Sequence, residues 1–172
     1  MNSGIIRKID VLGRIVIPME IRRSLHIKEG DPLEISLSGK GIRLERYSGI
    51  AGLKQLSDSF MRAMAKDLQT ASIICNLDTV ISCQGISLSE HNVLSGELQA
   101  YIRKQEHYRY SESTPLYLTA EKTCLINALY PIGTRQAPSG AFILLRSKDE
   151  DTTAVQEATA RTIALVLSEL TK

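Results

Sequence analysis

The chain has 172 residues and a formal net charge of +2, from 21 lysines and arginines against 19 acids. Its 43% apolar and 23% charged residues are the proportions of an ordinary soluble globular protein, which excludes a disordered or collagen-like chain. No apolar run approaches the roughly 18 residues that cross a bilayer, and the start, MNSGIIRKID, lacks the apolar core of a secretory signal. The expected location is therefore the cytoplasm, with no membrane partner.

The stretch 4–23 carries five bases, Arg7, Lys8, Arg14, Arg22 and Arg23, against two acids, Asp10 and Glu20. Its net charge is +3, so the remainder of the chain nets −1. A positive field gathered at one end of a near-neutral protein points to a polyanionic partner. Residues 5–9 alternate as a strand, which sends Arg7 and Lys8 to opposite faces. Residues 10–13 form a turn in which Gly13 supplies a positive φ, and Arg14 follows at its tip. Residues 15–17 are a second strand, apolar on both faces as in an interface. Pro18 suits the first turn of a helix. That helix is expected over 19–25, with Ile21 and Leu25 on one face and the directions of Arg22 and Arg23 about 100° apart. Residues 29–32 are a turn. Residues 33–37 alternate strictly, residues 38–41 are a hairpin loop, and residues 42–47 return with Ile42 and Leu44 inward.

A β-β-α-β-β module of about 45 residues cannot bury an adequate core alone. Without a disulfide or metal staple, dimerisation through interleaved hairpins is the remaining answer. The blocks GIIRKID at 4–10, LGRIVIP at 12–18, EIRRSL at 20–25 and GDPLEI at 30–35 resemble the AbrB-type swapped-hairpin DNA-binding domain. The resemblance implies a domain-swapped homodimer that binds double-stranded DNA. It places the contacts on Arg7, Arg14, Arg22 and Arg23, with Lys8 beside them. His26 and Val11 are small departures from that pattern.

Residues 48–52 mark a composition break, read as a linker between a first domain at 1–49 and a second at 50–172. Residues 53–68 are expected as a helix with the apolar stripe Leu53, Leu56, Phe60, Met64 and Leu68, packed on its own domain or between subunits. A hairpin follows at 71–83, turning at 76–79, with Cys75 opposite Val80 and Cys83 near Ser72. Residues 89–93 look like a helix start. Ser95 is a candidate cap for a helix through Leu98 and Ile102 to about Gln105. The loop 106–113 holds Tyr108 and Tyr110 beside Arg109; surface tyrosines are the favoured reading, a ligand-lining loop the other. Weak and strong strands are expected at 116–118 and 123–130, the latter ended by Pro131. A turn at 136–140 leads to a strand at 141–146. A last helix at 152–170 buries Val155, Thr159, Thr162, Ile163, Val166 and Leu170.

This order suits an antiparallel sheet flanked by helices, giving an α+β protein overall. With the cues at 72–78, 130–132 and 140–144 it resembles a GAF domain, a fold used for small-molecule sensing and dimerisation. An AbrB-type head on a GAF-like domain resembles a family of sporulation transcription regulators from spore-forming bacteria. The family implies activation and repression of sporulation genes, a nucleoid-associated protein, and a homotetramer joined through the second domain. It also implies modulation by a small-molecule ligand of unknown identity.

Two other classes compete with this reading. Related hairpin heads occur in antitoxins that fold over a toxin with a disordered tail, whereas this C-terminus is a patterned helix. Some GAF-like domains reduce oxidised methionine with cysteines. Here Cys75, Cys83 and Cys124 show neither C-x-x-C spacing nor a metal spacing with His26, His91 or His107. No nucleophile–base–acid set and no phosphate-cradling glycine loop is present. No catalytic residue, metal or cofactor is expected, and the role of the three cysteines is left open.

Overall fold

The computed structural model describes residues 4–25, 27–31, 33–88, 92–147 and 151–171; at positions 46, 63, 64 and 66–68 it describes the backbone alone. The expected residues His26, Pro32, Ser89 and His91, and the side chains of Met64 and Leu68, lie outside that description. The chain divides into two compact units, Met1–Tyr47 and Ser48–Lys172.

The first unit holds one short helix, α1 (Met19–Ser24), and one hairpin, β1 (Leu33–Ser38) with β2 (Gly41–Arg46). Pro18 stands at the N-cap of α1, and the N–H of Leu25 closes its last turn on the carbonyl of Ile21. The hairpin is antiparallel, pairing Ile35 with Leu44 and Leu37 with Ile42. Gly39 turns it at a φ of +59°.

Residues 5–9 and 15–17 differ from expectation, because neither forms a strand in this chain. A strand exists only through a neighbour that takes its N–H and C=O groups. Among the described residues these two runs meet only at their shared turn, where the N–H of Asp10 donates to the carbonyl of Arg14 at 3.1 Å. Ile42, expected inward, is exposed, as are Ile35 and Leu37. No residue of α1 is buried.

The second unit begins on what the sequence presents as a joint. Ser48 instead caps a single helical turn, α2 (Gly49–Gly52), and Ile50 within it is fully buried. Then come α3 (Lys54–Leu68), β3 (Ser72–Cys75), β4 (Val80–Gln84), α4 (Gly96–Lys104), β5 (Tyr108–Arg109), β6 (Ile126–Gly133), β7 (Pro138–Leu145) and α5 (Ala154–Leu170). The five strands form one antiparallel sheet in the order β4-β3-β7-β6-β5.

Strand alternation sorts the core into two layers. Ile74, Tyr130, Ile132, Phe142 and Leu144 meet Ile50, Met61, Ala160, Ile163, Ala164 and Leu167 from the helices. On the other face Ile73, Leu129, Ile143 and Leu145 meet Leu98 and Ile102 of α4. Full burial of a leucine, isoleucine, phenylalanine or methionine side chain among these stabilises by about 1.5–3 kcal/mol relative to exposure. The result is a sandwich of one antiparallel sheet with helices on both faces.

Several local expectations appear as read. Cys75 pairs with Val80. Ser95 caps α4, its Oγ accepting the N–H of Leu98 at 3.2 Å, and Gln105 ends it in the left-handed region. Cys83 pairs with Ile73 rather than Ser72, one position away, because a bulge after Ile74 shifts the register. Val93 makes an isolated bridge to Thr79 and is not helical.

Other expectations are corrected. Pro131 does not end β6 but pairs with Ala141 inside it. β5 covers β6 only at Ala128 and Leu129, so Pro131 stands where that side of the strand is open and its missing N–H breaks no bond to β5. β7 starts at Pro138, within the expected turn. Leu56 is exposed, and the buried face of α3 carries Ser57 and Met61. On α5 the buried residues are Ala160, Ile163, Ala164 and Leu167, and of the expected face only Ile163 is among them. Small alanines let the helix approach the sheet closely, and a count of large apolar residues misses them. Tyr108 is a core residue whose hydroxyl donates to the carbonyl of Thr114 and accepts from the N–H of Leu116. Tyr110 stacks under the guanidinium of Arg146.

Candidate nucleic-acid interface

All five candidate bases lie in the first unit, within one extended stretch, its turn and α1. Arg7 and Lys8 are exposed in the stretch before the turn. The turn is built by Asp10 and Gly13. Gly13 adopts a φ of +76°, as expected, and its N–H donates to the carbonyl of Asp10 at 3.0 Å. Nothing lies within 4 Å of where a Cβ on Gly13 would stand, so glycine is favoured there by the backbone angle alone.

Arg14 leaves this turn with its side chain 72% exposed, its Nε held 2.7 Å from Oδ2 of Asp10. The second carboxylate oxygen accepts the backbone N–H groups of Leu12 and Arg14, each at 2.9 Å. These bonds hold the Asp10 carboxyl below its ordinary value, the backbone N–H of Arg14 first and its guanidinium second. Asp10 is the residue that sequence reasoning overlooks. Its signal is present all the same, since an aspartate two residues before an N–H it can accept is a recurrent turn device.

Arg22 and Arg23 occupy the last turn of α1, where cations also offset the partial negative charge of the helix terminus. Arg23 is exposed. Arg22 is half-buried, and its Nε is shut off from solvent with no acceptor among the described residues. A closed-off donor of that kind is costly unless a partner supplies an acceptor. Arg43, on β2, is already paired with Glu45 at 2.6 Å.

The described residues contain no group of three or more histidine, cysteine or acidic side chains placed to hold a metal ion. All three cysteines are free, and burial pushes the Cys75 thiol up to about 12, where it stays protonated and unreactive at neutral pH. His107 stands edge-on to Tyr130 with ring centroids 5.8 Å apart. No helix among the described residues is long and apolar enough to cross a membrane.

Residues 6–51 match the family described as antidote-toxin recognition MazE, bacterial antitoxin, and residues 52–170 match the family described as stage V sporulation protein T C-terminal, transcription factor. Over 46 residues the chain is 52% identical to the transition state regulatory protein AbrB of Bacillus subtilis (strain 168), covering 27% of this chain and 48% of that protein. The fold is similar to that of a type II free methionine-R-sulfoxide reductase from Thermoplasma acidophilum, with a TM-score of 0.51 and 20% identity over 69% of this chain and 94% of that one. At that identity the likeness concerns the fold alone. An AbrB-like head followed by a C-terminal domain of the stage V sporulation protein T type defines a two-domain transcription factor. Along its length the chain is 33% identical to stage V sporulation protein T of Bacillus subtilis (strain 168), covering 94% of this chain and 93% of that protein. The chain belongs to the stage V sporulation protein T family.

Proposed function

We propose that this protein is a sequence-preferring regulator that binds double-stranded DNA through Arg7, Lys8, Arg14, Arg22 and Arg23, and that it activates some sporulation genes and represses others. The observation that carries the reading is the coincidence, within one small unit, of an exposed basic stretch and an exposed apolar surface. Ile35 is 70% exposed, Leu37 88% and Ile42 67%, all on one face of the β1–β2 hairpin. Ile5, Ile6, Ile9, Ile15 and Val16 are exposed along the preceding stretch. Covering such side chains stabilises by about 1.5–3 kcal/mol each. A second copy that exchanges the stretches around 5–9 and 15–17 offers the strand partners these runs lack and brings ten bases onto one head. Phosphates then displace counterions, so affinity falls steeply with salt, while Arg7 and Arg14 on the arms read base edges or groove shape.

The second domains join two such heads into a homotetramer. Supporting this, the stripe Val155, Thr162, Val166 and Leu170 on α5 faces solvent instead of the sheet. Bivalency then raises avidity by about 10²–10⁴ where spacing permits. A small-molecule ligand in the GAF-like domain adjusts head spacing and so the choice of DNA sites. The protein works in the cytoplasm, associated with the nucleoid.

The deciding experiment is fluorescence anisotropy of the full chain on duplex DNA across a salt series, beside sedimentation of the free protein. The expected result is a tetramer whose log affinity falls linearly with log salt, by about 0.9 per phosphate contacted. A monomer, or a protein indifferent to duplex DNA at low salt, overturns the reading.

A further inference from the structure

At the end of the sheet beside the first turn of α5 lies a cleft of about 280 Å³, formed where Arg109, Tyr110, Glu112, Asn127, Arg146 and Asp151 converge. Arg146 is fixed there from two sides. Its guanidinium carbon sits 3.9 Å from the centroid of the Tyr110 ring, and its Nη1 donates to Oδ1 of Asn127 at 3.2 Å. Asn127 is itself immobilised. It is buried, its Nδ2 donates to Oγ1 of Thr152 at 2.9 Å, and its backbone carbonyl accepts the N–H of Tyr110 at 2.7 Å. Ring and amide therefore hold the guanidinium in place without help from its third partner, the carboxylate of Asp151.

That third partner is the replaceable one. The Arg146 side chain is 23% exposed and the Asp151 side chain 78%, and an ion pair with one arm in solvent contributes at most about 1 kcal/mol. A carboxylate from outside can occupy the same position on a guanidinium already oriented to receive it, which is the condition for inexpensive binding. The cleft holds both signs of charge, however. Arg109 is already paired with Glu157 at 2.9 Å, Arg146 faces Asp151, and Glu112 is exposed with no partner among the described residues. A plain anion on Arg146 is repelled by Glu112, and a plain cation at Glu112 is repelled by Arg146. A molecule carrying both charges a few bonds apart meets attraction at both ends.

We propose that this cleft binds a free α-amino acid or a zwitterion of similar size, with its carboxylate on Arg146 in place of Asp151 and its ammonium toward Glu112. The regulatory meaning of such a site rests on the ligand-modulated reading above; the binding itself does not. The experiment uses the full chain in calorimetry and thermal shift, with the protein α-amino acids as probes. Acetate, succinate, methylamine and inorganic phosphate serve as single-charge controls. At least one amino acid is expected to bind and raise Tm where the controls do not. Glu112→Gln is an exposed change that leaves the packing alone, and it should weaken that binding about tenfold or more, as should Arg146→Gln. The proposal is overturned if no amino acid binds, if a single-charge control binds equally well, or if affinity is unchanged in Glu112→Gln. DNA affinity is measured in parallel. Failure of amino-acid binding with DNA binding intact removes this site alone, while amino-acid binding that leaves DNA affinity unmoved supports the site and removes the modulation.

Discussion

Asp10 and Arg14 are joined by three hydrogen bonds, two through their backbones or a backbone N–H and one from the Arg14 Nε to Oδ2 at 2.7 Å. The acid thus fixes the direction in which the base leaves the turn. Both side chains are solvated, so the pair contributes little stability and its consequence is orientation. Asp10→Ala removes a negative charge from a basic stretch, and simple electrostatics predicts tighter DNA binding. Loss of orientation predicts several-fold weaker binding, and that is the expected result by anisotropy. Arg14→Ala should weaken binding too and reduce the salt slope by about 0.9. Tighter binding by Asp10→Ala would contradict the orienting role.

Leu37 and Ile15 are exposed in the single chain, so a charge at either position costs the isolated unit little. Leu37→Asp and Ile15→Asp should nevertheless abolish the N-terminal dimer, because each places an unpaired charge in the expected interface. Sedimentation checks this. A variant that keeps the association state of the parent removes these surfaces from the interface.

On α5 two faces make opposite predictions. Val166→Glu, on the solvent face, should halve the assembly while leaving the unfolding transition of the second unit in place. Leu167→Ala, fully buried one residue later, should destabilise that unit by about 2–5 kcal/mol. Sedimentation and urea denaturation of both variants separate the effects, and a reversed pattern would reassign the faces.

Asp58 ties α3 to the edge strand β4. Its Oδ1 accepts from the Ser82 hydroxyl at 2.6 Å, and Oδ2 lies 3.3 Å from Nζ of Lys54. These contacts, the Ser82 hydroxyl first, hold its carboxyl below the ordinary value of 3.8. A carboxyl with a lowered folded-state value stabilises fully above 3.8, and that contribution is lost as pH falls through the lower folded-state value. Asp58→Asn should therefore cost stability at neutral pH and flatten the acid limb of the stability–pH curve. Urea midpoints from neutrality down to pH about 3 test it; parallel curves for parent and variant would exclude the linkage.

Much of the second domain was legible because local rules and global packing agree there. Ser95 must satisfy an orphan N–H wherever a helix starts, and a four-residue turn at 76–79 leaves few registers for Cys75 and Val80. The candidate bases were legible for a different reason, since charge crowding and motif order need no coordinates. What escaped were choices between equally apolar alternatives. Val166 and Leu167 are both good core residues on a helix, and only the sheet beneath α5 decides that Leu167 and the two alanines go inward.

From its sequence alone the chain determined where charge gathers, which segments turn, and that its first 47 residues hold too little to close a core. These follow from residue type and spacing. Tertiary structure alone decided that Ile50 belongs to the second core, that Pro131 lies inside a strand, and that Tyr110, Asn127 and Asp151 converge on Arg146. Those facts depend on residues distant in sequence meeting across a sheet, where burial and pairing are properties of neighbours rather than of any one residue.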